Sequence, residues 1–146
     1  ENYIVAMNSI DHSQVSEYTS YEMKGLKVDQ RDIIICTLPK NGNSDAQVKQ
    51  NTLAKYVGSD KIASIPHMVK ISEDKFMVLW QEFEVTSKKH GDLKYVFIDR
   101  NGNASSEIKT INNYRLSVCK PKIVDNSVVW YANESGFRIF YSIPLN

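Results

Sequence analysis

Short apolar segments alternate along most of the chain with polar segments rich in Asn, Gly, Ser and Asp. The apolar segments are rich in β-branched and aromatic residues, and several end at an Asn-Gly or Pro signal, which is typical of strands joined by tight turns. They predict an all-β protein, whereas residues 8–30 lack a regular period and are interpreted as a long connection. The predicted strands lie near residues 3–7, 33–38, 66–71, 76–82, 94–99, 106–111, 120–124, 128–132 and 137–143.

The segment Phe-Met-Val-Leu-Trp at residues 76–80 is apolar at every position instead of alternating. A strand of this kind is covered on both faces. Because the chain lacks a series of amphipathic helices that could supply the cover, we expect another sheet on each side of it. Residues 33–36 and 128–131 have the same character, and they predict two further buried strands.

Three strand-and-turn units recur along the chain. A basic residue followed by Asn-Gly-Asn occurs at residues 40–43 and returns 60 positions later at residues 100–103. Val78-Leu79-Trp80 returns 50 positions later as Val128-Val129-Trp130, and a proline opens the strand before each of them. Repeats of this kind build an architecture in which each unit covers its neighbour. The positions to which the repeat assigns structural roles are Gly42, Pro66, Trp80, Gly102, Pro121 and Trp130.

Residues 46–57 allow two interpretations. Ser44 and Asp45 are suitable caps and Gly58 is a suitable terminator, so the segment has the signals of a helix. The repeat favours a strand, because Val48 then corresponds to Ile108 in an alternating segment after the second Asn-Gly turn.

Residues 66–80, and again residues 121–130, resemble the pattern of proline, apolar strand, turn and Val-Val-Trp found in bacterial secreted β-propeller repeat proteins. Residues 95–103 resemble the strand with an Asp-x-Asn-Gly ending that is common in them. The resemblance implies β-propeller-like blades of four antiparallel strands. It divides one repeat domain, residues 1–146, into blade one at about 1–63, blade two at about 64–117 and an incomplete blade three at about 118–146.

The number of blades predicts an incomplete propeller. Blade one lacks a counterpart of the first strand and blade three lacks the last, whereas a closed propeller contains about 4 to 8 blades. Three arrangements follow: the chain is a portion of a larger one, several copies close a ring, or the sheets form an open sandwich.

Charge and cysteine content exclude few classes of function. The chain has 18 Lys and Arg against 17 Asp and Glu, a formal net charge of +1, which does not favour a nucleic-acid partner. No apolar run approaches the roughly 20 residues that span a bilayer, and the first residues lack the basic character of a signal peptide. A secreted or cell-surface location is implied by the resemblance alone. Cys36 and Cys119 are interpreted as buried and reduced.

Residues capable of catalysis or metal binding form no recognisable motif. His12, His67 and His90 are too widely spread for a zinc site. Residues 99–103 have the oxygen-rich character of a calcium loop but lack its distal glutamate, so a hairpin turn is expected. Residues 72–76 lack the glycine of the repeated box that the propeller resemblance brings to mind from sialidases. We therefore predict no catalytic residue, metal or cofactor.

Trp80 and Trp130 are compatible with a sugar-binding surface or with the core, and their recurrence favours the core. The leading hypothesis is a non-catalytic module of a secreted or cell-surface propeller that binds protein or glycan. The alternative is a part of a propeller-type carbohydrate hydrolase or lyase whose catalytic residues lie outside this chain, and a third reading is an intracellular scaffold. Expected partners are the remainder of a larger parent chain, or a second copy that pairs with unpaired sheet edges.

Overall fold

The computed structural model describes residues 2–9, 17–18, 23–24, 31–41 and 48–145. Strands are the regular secondary structure of these residues, and no helix occurs among them. The prediction of an all-β protein is therefore confirmed. The strands are β1 (Asn2–Ser9), β2 (Glu17–Tyr18), β3 (Met23–Lys24), β4 (Asp32–Pro39), β5 (Lys49–Ala54), β6 (Lys61–Ala63), β7 (His67–Lys70), β8 (Lys75–Glu84), β9 (His90–Asp99), β10 (Lys109–Ile111), β11 (Lys122–Val124), β12 (Ser127–Glu134) and β13 (Phe137–Pro144).

These strands form three open antiparallel sheets and a small hairpin. Sheet I has the order β1-β4-β5, and sheet III has the order β11-β12-β13. Sheet II has the order β10-β9-β8-β6, with β7 also paired to β8. It therefore contains a meander of four consecutive strands, β7 to β10, whereas sheets I and III each have three strands. The hairpin consists of β2 and β3.

The sheets stack face to face, with sheet II between the other two. Alternate residues of β8 and β9 point to opposite faces, as in any strand, and both faces of sheet II are covered. The interface between sheets I and II contains Ile33, Ile35, Tyr56, Ala63, Val78, Trp80, Val96 and Ile98. The interface between sheets II and III contains Val69, Met77, Leu79, Leu93, Tyr95, Val128, Trp130, Ala132, Tyr141 and Ile143.

This stacking explains the uninterrupted apolar run at residues 76–80. Met77 and Leu79 face sheet III, whereas Val78 and Trp80 face sheet I, and all four side chains are fully buried. The expectation of a sheet on each side of this strand is confirmed. The apolar run is thus a consequence of burial on both faces.

The observed strands match the predicted segments with several differences. The hairpin of β2 and β3 lies within residues 8–30, which were interpreted as a long connection, and β9 begins at His90 instead of near residue 94. Lys49–Ala54 is a strand, which decides between helix and strand for the described part of residues 46–57. The strand predicted at residues 106–111 is shorter and begins at Lys109. The sequence pattern missed Lys61–Ala63, whose three residues pair with the end of β8.

The recurring prolines and Gly102 are buried just before strands or in a turn. The boundaries of the repeat units remain predictions. Pro66 and Pro121 are both buried, and each immediately precedes a strand. Gly102 is buried in the turn after β9, whereas Gly42 lies outside the described residues. Both cysteines are free thiols; Cys36 is buried as expected, but Cys119 is only partly buried, since it lies in the bend before β11 instead of a strand.

Candidate functional site

The two tryptophans lie in different interfaces, where neither ring is presented to solvent. Trp80 is 0% exposed and faces sheet I, and Trp130 is 3% exposed and faces sheet II. Each indole N–H has a partner: Trp80 donates to the hydroxyl of Tyr56 at 2.7 Å, and Trp130 donates to the backbone carbonyl of Arg115 at 2.7 Å. The geometry places both residues in the core.

A polar cavity of about 460 Å³ lies between sheets I and II, at the rim where β4 ends and where the turn after β9 lies. We call this cavity the rim groove. Sheet I contributes Asn2, Ile4 and Lys40 to its lining. Sheet II contributes Lys70, Glu73, Phe76, Arg100 and Asn101.

The turn between β9 and β10 fixes Arg100 and Asn101 in the wall of the groove. The carboxylate of Asp99 accepts hydrogen bonds from the backbone N–H groups of Asn101 at 2.8 Å and Asn103 at 2.9 Å. Partial burial alone would raise the pKa of Asp99, but the hydrogen bonds from Asn103 and Asn101 outweigh it and lower the pKa below its usual value. Asp99 therefore stays ionised and keeps the turn closed.

Gly102 lets the same turn pack directly against sheet I. Its φ is +80°, which glycine adopts without strain, and a Cβ atom at this position would lie 2.7 Å from Cγ2 of Ile35. Asn51 of β5 adds a polar contact, since its side-chain amide donates to Gly102 O and to Asn103 Oδ1, both at 3.2 Å. The turn that carries Arg100 is thus attached to both sheets.

Basic side chains outnumber acidic ones in the lining of the groove. Lys40, Lys70 and Arg100 are cationic, whereas Glu73 is the one carboxylate among the lining residues given above. Lys70 pairs with Glu73 at 2.7 Å, and Arg100 pairs with Asp74, which lies on the same β7–β8 turn, at 3.2 Å. All four of these side chains are more than half exposed. The arrangement offers hydrogen-bond donors and positive charge to a ligand.

A second polar cluster lies at the opposite end of the interface between sheets I and II. The hydroxyl of Tyr56 donates to Glu82 Oε1 at 2.8 Å, and Lys61 Nζ lies 3.0 Å from Glu82 Oε2. Burial raises the pKa of Tyr56 well above 10; the hydrogen bond from Trp80 opposes this effect, and the neighbouring Glu82 adds to it. Each of these polar groups therefore has a hydrogen-bond or ion-pair partner within the fold.

The two histidines that the structure describes do not contribute to a metal site. His67 is half-buried, and burial lowers its pKa below the usual value; His90 packs on Phe83 with ring centroids 4.6 Å apart. His12 lies outside the described residues. Within the described ranges, no group of three His, Cys, Asp or Glu side chains is placed to hold a metal ion.

The groove residues do not form a recognisable site motif in the sequence. A signal was present in the repeated sequence, because the residue before each Asn-Gly pair is basic: Lys40 before the first pair and Arg100 before the second. Both residues line the groove. Lys70 has no such sequence signal, since it ends strand β7 and no Asn-Gly pair follows it.

Comparisons with protein-family models, with curated proteins and with solved structures find no significant match to this chain. The function must therefore be inferred from the geometry described above. In the described part of the chain, no helix has the length and hydrophobicity that a membrane crossing requires.

Proposed function

We propose that this chain is a non-catalytic binding module built from β-propeller-like blades, which recognises a protein or a glycan through the loops at one rim. The observation that carries the proposal is the rim groove, where three cations and two asparagines from separate segments line a cavity of about 460 Å³. Cavities of roughly 300–1,000 Å³ with a few convergent polar groups are the usual form of ligand sites.

The stacking of the sheets supports the blade arrangement in this proposal. Trp80 and Trp130 occupy corresponding places in β8 and β12, and each faces the preceding sheet. Sheet II, which is covered on both sides, has the four-strand meander expected of a blade. A secreted or cell-surface location belongs to the same proposal and rests on the resemblance to secreted propeller repeats.

Unpaired sheet edges support the proposed partners. By position in its sheet, β1 corresponds to β8 and β12. Strands β8 and β12 have outer neighbours, β7 and β11, whereas β1 has no such neighbour among the described residues. Within the described part of the chain, β13 pairs with β12 alone. We infer that a strand from a parent chain or from a second copy pairs with these edges, because exposed edges recruit partners. Light scattering over a dilution series tests self-association, and a monomer at every concentration would exclude the second copy.

Binding to arrays of glycans and of extracellular proteins tests the function directly. We expect the purified chain to retain a ligand, and we expect Arg100→Gln to weaken that binding while Lys122→Gln, an exposed lysine on sheet III, leaves it unchanged. A chain that binds no array member would refute the binding module. Turnover of an arrayed glycan would instead support the alternative, a part of a carbohydrate hydrolase or lyase.

A further inference from the structure

The rim groove has the chemistry of a site for an acidic sugar. We propose that it binds a saccharide carrying a carboxylate or sulfate group, with the anion held by Arg100 and Lys70 and the hydroxyls held by the neighbouring amides. This inference rests on the proposed binding function and names the class of ligand.

The cations reach the groove from three separate segments. Lys40 follows β4, Lys70 ends β7, and Arg100 begins the turn after β9. Because they come from both sheets, they surround the cavity instead of forming a stripe on one strand. A guanidinium group binds a carboxylate or sulfate through two parallel hydrogen bonds, whereas a lysine supplies a point charge. The pair of Arg100 and Lys70 therefore suits one anionic group.

A ligand can replace the present ion-pair partners of Lys70 and Arg100. Lys70 is paired with Glu73 and Arg100 with Asp74, but all four side chains are largely exposed on the surface. Exposed pairs of this kind contribute little to stability, and they are screened by salt. A ligand anion can accept hydrogen bonds from the same donors while the two carboxylates turn to solvent. Glu73 also disfavours a ligand with several adjacent negative charges.

The remaining lining favours a sugar over an acidic peptide. Asn2 and Asn101 provide amide groups that both donate and accept, which matches sugar hydroxyls. Ile4 and the half-buried ring of Phe76 provide an apolar surface for the carbon face of a sugar ring. An acidic peptide would need only the cations, and the combination with amides and an aromatic ring is not required for it.

The wall that carries Arg100 is preorganised. Gly102 packs against Ile35 of sheet I, Asn51 bridges the same turn from β5, and Asp99 closes it with two hydrogen bonds. On the other side, the β7–β8 turn is closed by bonds from the N–H groups of Ile71 and Ser72 to the carbonyl of Lys75. Because few groups must be ordered on binding, even a small saccharide can bind measurably.

Isothermal titration at low ionic strength with four probes tests this inference. The probes are digalacturonate, a chondroitin 4-sulfate disaccharide, the neutral galactose disaccharide and pentaglutamate. We expect at least one of the two acidic sugars to bind. The neutral sugar should bind at least about tenfold more weakly, the loss that follows from one missing charge-assisted hydrogen bond. The peptide should also bind more weakly, because it offers carboxylates to the cations but no hydroxyls to the amides and no sugar ring to Phe76. Affinity should fall as salt is added.

Variants locate the binding within the groove. Arg100→Gln and Lys70→Gln should each weaken binding of the acidic sugar by about tenfold or more, and Lys122→Gln should leave it within about twofold. The side chains of Lys70 and Arg100 are exposed, so both variants should keep the melting temperature of the parent chain, which serves as the folding control. If one variant fails to fold, the other decides.

Each contrary result has a distinct meaning. Equal binding of the neutral disaccharide, or stronger binding of pentaglutamate, would overturn the assignment of an acidic sugar, and so would the absence of binding by all four probes. Unchanged affinity in both groove variants would place the site elsewhere. If the arrays identify a ligand that the groove variants still bind, the binding module stands and this inference fails; if neither probes nor arrays bind, both fail.

Discussion

The two interfaces between the sheets use tryptophan at the same strand position but satisfy its polar N–H group in different ways. At the first interface, Trp80 donates to Tyr56, which in turn donates to the buried carboxylate of Glu82. At the second, Trp130 donates to a backbone carbonyl and stacks with Tyr141 at a centroid distance of 5.7 Å. The first interface therefore depends on a chain of polar side chains, and the second on aromatic packing and the backbone.

The difference shows how a repeated position can be accommodated by unrelated surroundings. Both partners come from the segment that follows the last strand of the preceding sheet: Tyr56 follows β5, and Arg115 follows β10. A side-chain partner can be removed by one substitution or by ionisation, whereas a carbonyl partner cannot. The first interface should therefore be the more sensitive to polar substitutions and to pH.

Truncation of the tryptophans should have the largest effect. Trp80→Ala and Trp130→Ala should each destabilise the chain by roughly 3–5 kcal/mol, because each empties a buried aromatic site. Each substitution also removes the indole donor, which bonds to Tyr56 in one interface and to the Arg115 carbonyl in the other. Urea unfolding measures both. A variant that keeps its melting temperature would contradict the core role.

A glycine in the first interface provides the next contrast. Gly102→Ala should cost roughly 2–4 kcal/mol, because it combines a strained positive φ with a Cβ atom only 2.7 Å from Ile35. Gly136→Ala is the matched control: its φ is +85°, but no atom lies within 4 Å of the added Cβ, so roughly 1–2 kcal/mol is expected. Equal losses in thermal unfolding would show that sheet I does not press on the turn.

Removal of one hydroxyl tests the polar chain itself. Tyr56→Phe should destabilise by roughly 1–3 kcal/mol, since it leaves the buried Trp80 N–H without its acceptor and removes one donor from Glu82. Tyr141→Phe removes a hydroxyl that donates to the partly exposed Glu134, and it should cost about 1 kcal/mol or less. The reverse order of these two losses would place the greater polar contribution in the second interface.

Alkaline pH should have the smallest effect and should act through the same two tyrosines. Burial raises the pKa of Tyr141 to about 12 and raises that of Tyr56 further. Because the folded state keeps both phenols neutral, their contribution is fully present below the ordinary pKa of about 10 and is lost as the pH rises above it. Chemical unfolding measured from pH 8 upward should show this decline, and Tyr56→Phe should flatten it more than Tyr141→Phe does.

Prediction from sequence succeeded where the determinants are local. The apolar run predicts the strand at residues 76–80 and a covering sheet on each of its two faces. The Asn-Gly pair predicts the turn at residues 100–103. The strand at residues 61–63 was missed because it has only three residues, too few to show an alternating pattern. It forms because β8 extends far enough to offer it an edge.

The candidate site was not predictable in the same way. The repeated basic residue before Asn-Gly points to Lys40 and Arg100, but nothing adjacent to Lys70 or Asn2 distinguishes them from other polar surface residues. Their common place on the groove depends on how sheet I packs against sheet II. The same is true of Tyr56 and Glu82, which are 26 positions apart and meet only in the folded chain.

The sequence by itself determined the β class, the nearly regular spacing of the strands and the burial of the repeated tryptophans, because alternation, apolar runs and turn residues act over a few positions. Only the tertiary structure decided which polar groups meet. Face-to-face packing brought three cations from distant segments around one cavity and placed a tyrosine and a glutamate beneath Trp80, since contacts between sheets depend on the relative placement of whole strands and not on neighbouring residues.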